Sequence, residues 1–134
     1  MPEMLDLEVA TPERLLVHEQ VAEVQVPAKN GYLGVLPGHA PLVSELATGY
    51  LHYAAGGRRW YVAVHGGFLE VVDDHVRVLA TVAEKAEEVD VERARRALDR
   101  AQEQLINPAL GVDPAAALEA VHRAQARLDA AAHK

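Results

Sequence analysis

The chain has 134 residues, half of them hydrophobic and a quarter charged, with a formal net charge of -7 and no cysteine. That composition supports one packed domain, or a small domain with an appendage, and argues against a disordered chain. The acidic balance disfavours nucleic-acid binding, which needs cationic surface to displace counterions from phosphate. The lack of cysteine excludes disulfides, thiol nucleophiles and thiolate metal sites.

Met1 to Asp6 lacks the cationic and apolar regions of a signal peptide. No apolar run approaches the roughly 18–20 residues that span a bilayer. Membrane contact is therefore expected only through a partner.

Leu5, Leu7 and Val9 alternate with Asp6 and Glu8, the period of a half-buried strand. Thr11-Pro12-Glu13 signals a turn, and Arg14 to His18 returns. Val24 and Val26 alternate with Glu23 and Gln25 until Pro27. From Lys29 to Pro41, three glycines that permit positive φ (Gly31, Gly34, Gly38) sit among Pro27, Pro37 and Pro41, which predicts a shaped loop. Residues 50–54 and 58–64 flank a glycine-bearing hairpin turn at Ala55-Gly56-Gly57. Residues 68–72 and 75–81 flank a second tight turn at Asp73-Asp74. Short strands with closely spaced turns predict a β-sandwich or barrel.

The composition changes near Ala83. All six aromatic residues lie between Tyr32 and Phe68, and eight of nine glycines between Gly31 and Gly67. Six of the eight cations after Ala83 are arginines. Residues 1–84 are therefore read as one module and 85–134 as another. In the second, Asp90 caps a helix whose stripe is Val91, Ala94, Leu98, Ala101 and Leu105. Asn107-Pro108 stops it and Gly111 lets the chain turn. Asp113-Pro114 starts a second helix with the stripe Leu118, Val121, Ala124 and Leu128. Nine alanines between Ala115 and Ala132 give this αα-hairpin a thin apolar face. A weakly held hairpin is a candidate moving part.

Enzyme signatures are missing. The glycine spacing matches neither a P-loop nor a dinucleotide fingerprint. Ser44 is the only serine and no Gly-Xaa-Ser-Xaa-Gly surrounds it. No two of the seven histidines lie within four residues of each other, so no metal site is assigned. Glu84, Glu87 and Glu88 read as charges that complement a helix dipole. No catalytic residue is expected.

The arginines carry more. Arg93, Arg96 and Arg100 recur at spacings of three and four, and Arg123 and Arg127 share a face of the second helix. In an antiparallel hairpin the two sets can converge on phosphate oxygens, which guanidinium groups bind bidentately. Glu84 or Asp90 can accept from an adenine amino group. The alternative is a solvated face laced by pairs such as Glu92–Arg96.

Four strings resemble the epsilon subunit of the F-type ATP synthase. They are Gly31 to Val43 (Gly-Tyr-Leu-Gly-Val-Leu-Pro-Gly-His-Ala-Pro-Leu-Val), His65 to Val71 (His-Gly-Gly-Phe-Leu-Glu-Val), Val78-Leu79-Ala80, and Ala83 to Asp90 followed by Arg93-Ala94. The resemblance implies an N-terminal ten-stranded β-sandwich followed by a C-terminal antiparallel two-helix hairpin. It implies a non-catalytic rotor subunit of a proton-translocating enzyme, peripheral to the inner membrane on its cytoplasmic face. The sandwich would couple the gamma subunit to the c ring. The hairpin would lie on the sandwich, or extend into the alpha/beta catalytic head and inhibit hydrolysis.

Residue by residue, Lys29, Asn30, Gly31 and Tyr32 match the loop near the c ring, and His39 lies by the gamma-facing region. The family's ATP motif, Ile or Leu followed by Asp-Xaa-Xaa-Arg-Ala, appears as Val89-Asp90-Val91-Glu92-Arg93-Ala94. Glu84 matches an upstream acidic position, and Arg100, Arg123 and Arg127 match arginines of the two helices. The resemblance thus implies ATP as a regulatory ligand, with no other cofactor. Val89, a smaller residue than the motif's first, departs from the pattern. A free-standing ATP-sensing module is the competing expectation.

Overall fold

The computed structural model describes residues 3–133. Eight strands precede two helices: β1 Leu5–Ala10, β2 Leu15–Val21, β3 Glu23–Ala28, β4 Gly31–Val35, β5 Leu42–Glu45, β6 Gly49–Ala55, β7 Arg58–Val72 and β8 His75–Lys85. A 3-10 turn, Ala86–Glu88, leads into α1, Val91–Ile106. A second 3-10 turn, Pro108–Leu110, leads to α2, Pro114–Ala131.

The expectation of ten strands becomes eight because two strands run on through the bend. The segments expected at 58–64 and 68–72 are one strand, β7. Its first half pairs with β6, Gly49 opposite Val64, and its second half with β5, Leu42 opposite Val71. β8 follows β7 through the same bend and receives β1 as a parallel neighbour, Leu7 opposite Val76. Each long strand therefore serves both layers. Gly66 and Gly67, at φ of 67° and 106°, make the bend. A Cβ on Gly67 would sit 2.0 Å from the Leu79 carbonyl oxygen, so no other residue fits there.

The alternation read from the sequence places the core. Leu5, Leu7, Val9, Leu69, Val71, Val76 and Val78 face inward from one layer. Val24, Val26, Leu51, Tyr53, Val62 and Val64 face them from the other. Gly56 and Gly57 (φ 62° and 79°) turn β6 into β7, and Asp73 and Asp74 (φ 48° and 62°) turn β7 into β8. The loop expected across Lys29–Pro41 is partly strand, because Gly31–Val35 pairs with β3. Gly34 has no positive φ. It is small because a Cβ would meet the Gln25 amide nitrogen at 2.9 Å.

Asp90 and Asp113 cap their helices, accepting from Arg93 N at 3.1 Å and from Ala115 N at 3.3 Å. The two helices pack on each other, and α2 seats the hairpin on the sandwich against β6 and β7. The expected stripe of α2 is only partly the buried face: Ala124 is buried and Leu128 half-buried, but the other buried positions are alanines outside it. Leu118 is 43 % exposed, while Ala117, Ala124, Ala126, Ala130 and Ala131 are buried. Alanine wins because α2 is pressed from two sides and only a methyl fits both seams. Ala126 and Ala130 meet Ala63 and Ala86 of the sandwich side, under Tyr50 and Tyr61. His133 stacks on the Tyr61 ring with centroids 4.4 Å apart. Among the described residues no helix is long and apolar enough to cross a membrane.

Candidate functional site

The end of β8, the connector and the start of α1 lay their polar residues along one seam. Glu84 is the penultimate residue of β8, Asp90 caps α1, and Arg93 and Ala94 sit in the first turn of α1. The antiparallel return of α2 brings Arg127 back to them. Its Nε donates to Glu84 Oε1 at 3.1 Å. Between these residues lies a groove of about 360 Å³, lined also by Arg14 of the turn before β2. That volume falls at the lower end for small-molecule sites.

Five of the eight residues expected to hold ATP thus share one groove: Glu84, Asp90, Arg93, Ala94 and Arg127. Arg123 lies next to them in a crevice of about 10 Å³ with His65, Glu84 and Arg127, room for a water at most. It also approaches Glu119 at 3.9 Å. Val89 does not line the groove. It is buried with Ala94 and Ala131 where the helices meet the connector. Arg100 is exposed on α1, outside the groove. The pair Glu92–Arg96 is not formed. Among the described residues Arg93, Arg95, Arg96 and Arg100 make no ion pair within 4.0 Å.

The groove offers two guanidinium groups from opposite helices and two carboxylates as acceptors. No hydroxyl, thiol or imidazole lines it. It can bind an anion with a polar appendage, and it holds no nucleophile and base to act on one.

Arg14 carries no motif in the sequence, yet it anchors the seam. Its two terminal nitrogens each donate to a Glu88 oxygen at 2.8 Å. Chiefly through that pair, the Glu88 carboxyl is held down at about 2. Glu88 Oε1 also accepts from Lys85 N at 2.9 Å, closing the connector turn. Two histidines face the docked helices. Burial, then Arg123, pushes His65 below its ordinary value, and its Nδ1 lies 2.6 Å from Thr48 Oγ1. Burial, then Arg59, does the same to His52.

The residues expected to dock partners lie elsewhere. Lys29 pairs with Glu45 at 3.0 Å, Asn30 is exposed in the β3–β4 turn, and Gly31 opens β4 at φ 122°. The Tyr32 hydroxyl donates to the Tyr50 carbonyl at 2.8 Å while its ring stays 54 % exposed. His39 donates from Nδ1 to its neighbour's carbonyl, Ala40 O, at 2.7 Å. The outer face of β5, β7 and β8 shows Val43, Phe68 and Leu79, each at least half exposed. They fall within the strings that carry the resemblance, but alternation alone does not mark them, because it puts them where polar residues are expected.

The structure also gathers Asp6, Glu8 and His18 so that their ligand atoms lie within 4.8 Å of one another. His75 reaches Asp6 at 3.0 Å and Arg77 reaches Glu8 at 3.5 Å. These are cross-strand pairs from β2, β1 and β8, and spacing within the sequence does not reveal them.

A sandwich with a docked helical arm, and an anion-binding groove on their seam, defines a two-module binding protein. Comparisons place it further. Residues 4–86 match the family described as ATP synthase, Delta/Epsilon chain, beta-sandwich domain, and residues 87–132 match its long alpha-helix domain. The chain belongs to the ATP synthase delta/epsilon family. It is 65 % identical to the ATP synthase epsilon chain of Solibacter usitatus over 134 residues, 100 % of both chains. Identity to the epsilon chain of Nitratidesulfovibrio vulgaris is 48 % over 128 residues, 96 % of each. Among solved structures, a chain of the Euglena gracilis mitochondrial ATP synthase (OSCP, F1 and c ring, rotational state 1) superposes with a TM-score of 0.83. The identity there is 29 %, covering 99 % of this chain and 84 % of that one.

Proposed function

We propose that the chain is a non-catalytic central-stalk subunit of a bacterial-type ATP synthase, which joins the gamma subunit to the c ring and restrains ATP hydrolysis through its helical arm. The observation that carries this is the division of the molecule. The sandwich has a core of its own, while the arm meets it through methyl groups, one stacked histidine and two ion pairs. A buried methyl contributes on the order of 0.8 kcal/mol, so the docked arm is only modestly favoured and can leave. When extended, its arginines meet carboxylates of the alpha/beta head, and when docked it leaves the head free.

The exposed Val43, Phe68 and Leu79 form the contact with gamma, and the Lys29–Tyr32 turn faces the c ring. The subunit lies at the cytoplasmic face of the inner membrane, held there by these partners. ATP is a regulatory ligand of the docked arm, its phosphates on Arg93 and Arg127, and Glu84 accepting from the base. Ligand bound to one posture stabilises that posture by mass action.

Two measurements test this. Val43→Asp with Phe68→Asp should abolish co-purification with gamma while circular dichroism is unchanged, and retained co-purification overturns the docking assignment. Arg93→Ala with Arg127→Ala should abolish ATP binding in isothermal titration of the full chain. Unchanged binding removes the phosphate role.

A further inference from the structure

The route from sandwich to arm passes through five residues, Ala86–Asp90, and one long-range ion pair grips it. Arg14 spends both terminal nitrogens on Glu88, in parallel at 2.8 Å each. The partners are 74 residues apart, and Glu88 in turn closes the turn through Lys85 N. A guanidinium fork matched to both oxygens of a carboxylate fixes angle as well as distance. Ala86, buried under α2, and Val89, buried between the helices, are set on either side of that fixed point.

The pair also ties a wall of the groove, Arg14, to the connector. Arg14, Asp90, Arg93 and Arg127 line the groove, and Glu88 stays ionised at any pH well above about 2. Glu84 adds to the pull on Arg14, so Glu88, Arg14, Glu84 and Arg127 form an alternating row from the connector across the sandwich edge to α2.

We propose that Arg14 is a positioning residue: by clasping Glu88 it fixes the root of the arm, holding the arm in its docked posture and the two walls of the groove in register. Its part in nucleotide binding rests on the groove reading given above, while the clasp itself stands without any ligand.

The test is hydrogen exchange of the full chain, without nucleotide, for wild type, Arg14→Ala, Glu88→Gln, the double variant, and the exchanged pair Arg14→Glu with Glu88→Arg. Each single variant should speed exchange at the connector and α2 about five-fold, as local opening of the arm. The double variant should be no faster than either single, and the exchanged pair should recover part of the lost protection, since Glu88→Arg removes the acceptor for Lys85 N. Amides of β1 and β7 should keep their protection in all of them. Singles within two-fold of wild type, or effects that add in the double, overturn the clasp. If Arg14→Ala loosens the sheet itself, Glu88→Gln decides, since Glu88 lies outside the strands. ATP titration then separates the two ideas. Exchange that changes as expected, in a wild-type chain that ignores ATP, removes the nucleotide reading and leaves the clasp standing.

Discussion

At the residue scale, backbone geometry and charge place the sharpest demands on single positions. Gly67 occupies a left-handed φ of 106° with the Leu79 carbonyl where a Cβ would be. Both the strain and the clash oppose any side chain, and neither can relax without parting β7 from β8. Gly67→Ala is expected to cost at least about 2 kcal/mol, read as a lowered midpoint in urea unfolding. Gly34→Ala is expected to cost less, because only the flexible end of Gln25 stands in the way. Equal losses at the two sites would contradict this account. The motif position Val89 shows the opposite relation of residue to site. Its side chain is buried where α1, α2 and the connector meet, so it steadies the arm and does not form a wall of the groove.

At the scale of the element, the arm is expected to loosen in acid. His65 lies on β7 below α2. Burial, Arg123 and Arg127 lower its pKa, and Glu119 partly opposes them. His52 on β6 is lowered by burial, Arg59 and His133, with Glu23 opposing. A histidine with a lowered pKa takes up its proton more readily once the arm has left. Docking from this source is therefore strongest above the ordinary value, about 6.5, and weakens as pH falls through it. Hydrogen exchange of α2 should accelerate between pH 7 and pH 5, beyond the intrinsic trend of free amides. His65→Gln should flatten that rise in part, leaving the share of His52. An α2 whose protection is flat across this range would contradict the assignment. The alanine seam explains why so small a charge effect matters: methyl contacts leave little reserve.

At the scale of the molecule, the sandwich is complete without the arm. Its core is built from residues between Leu5 and Ala83, with none from α1 or α2. Removing residues 86–134 exposes Ala63, Tyr50 and Tyr61 and opens no core cavity. The shortened chain should unfold cooperatively, with a midpoint within a few degrees of the full chain. In the assembled complex it should still support coupling, with restraint of hydrolysis lost. Failure to assemble would show that the arm carries docking contacts of its own.

The local pattern of the chain was enough to set the strands, the caps and the turns. Leu5-Leu7-Val9, Asp90, Asp113 and Asp73-Asp74 each act through neighbours a few residues away, so their roles are written in short stretches. Spacing along the two helices grouped Arg93, Arg96 and Arg100 with Arg123 and Arg127, and only the folded chain separates Arg93 and Arg127, which line the groove, from the other three. The local pattern did not reveal that β7 and β8 bend through both layers, that alanines rather than leucines seat α2, or that Arg14 grips Glu88 across 74 positions. Those depend on which distant surfaces meet and how closely. Only the folded chain sets such distances, because packing energies fall off within a few ångströms and leave no period in the sequence.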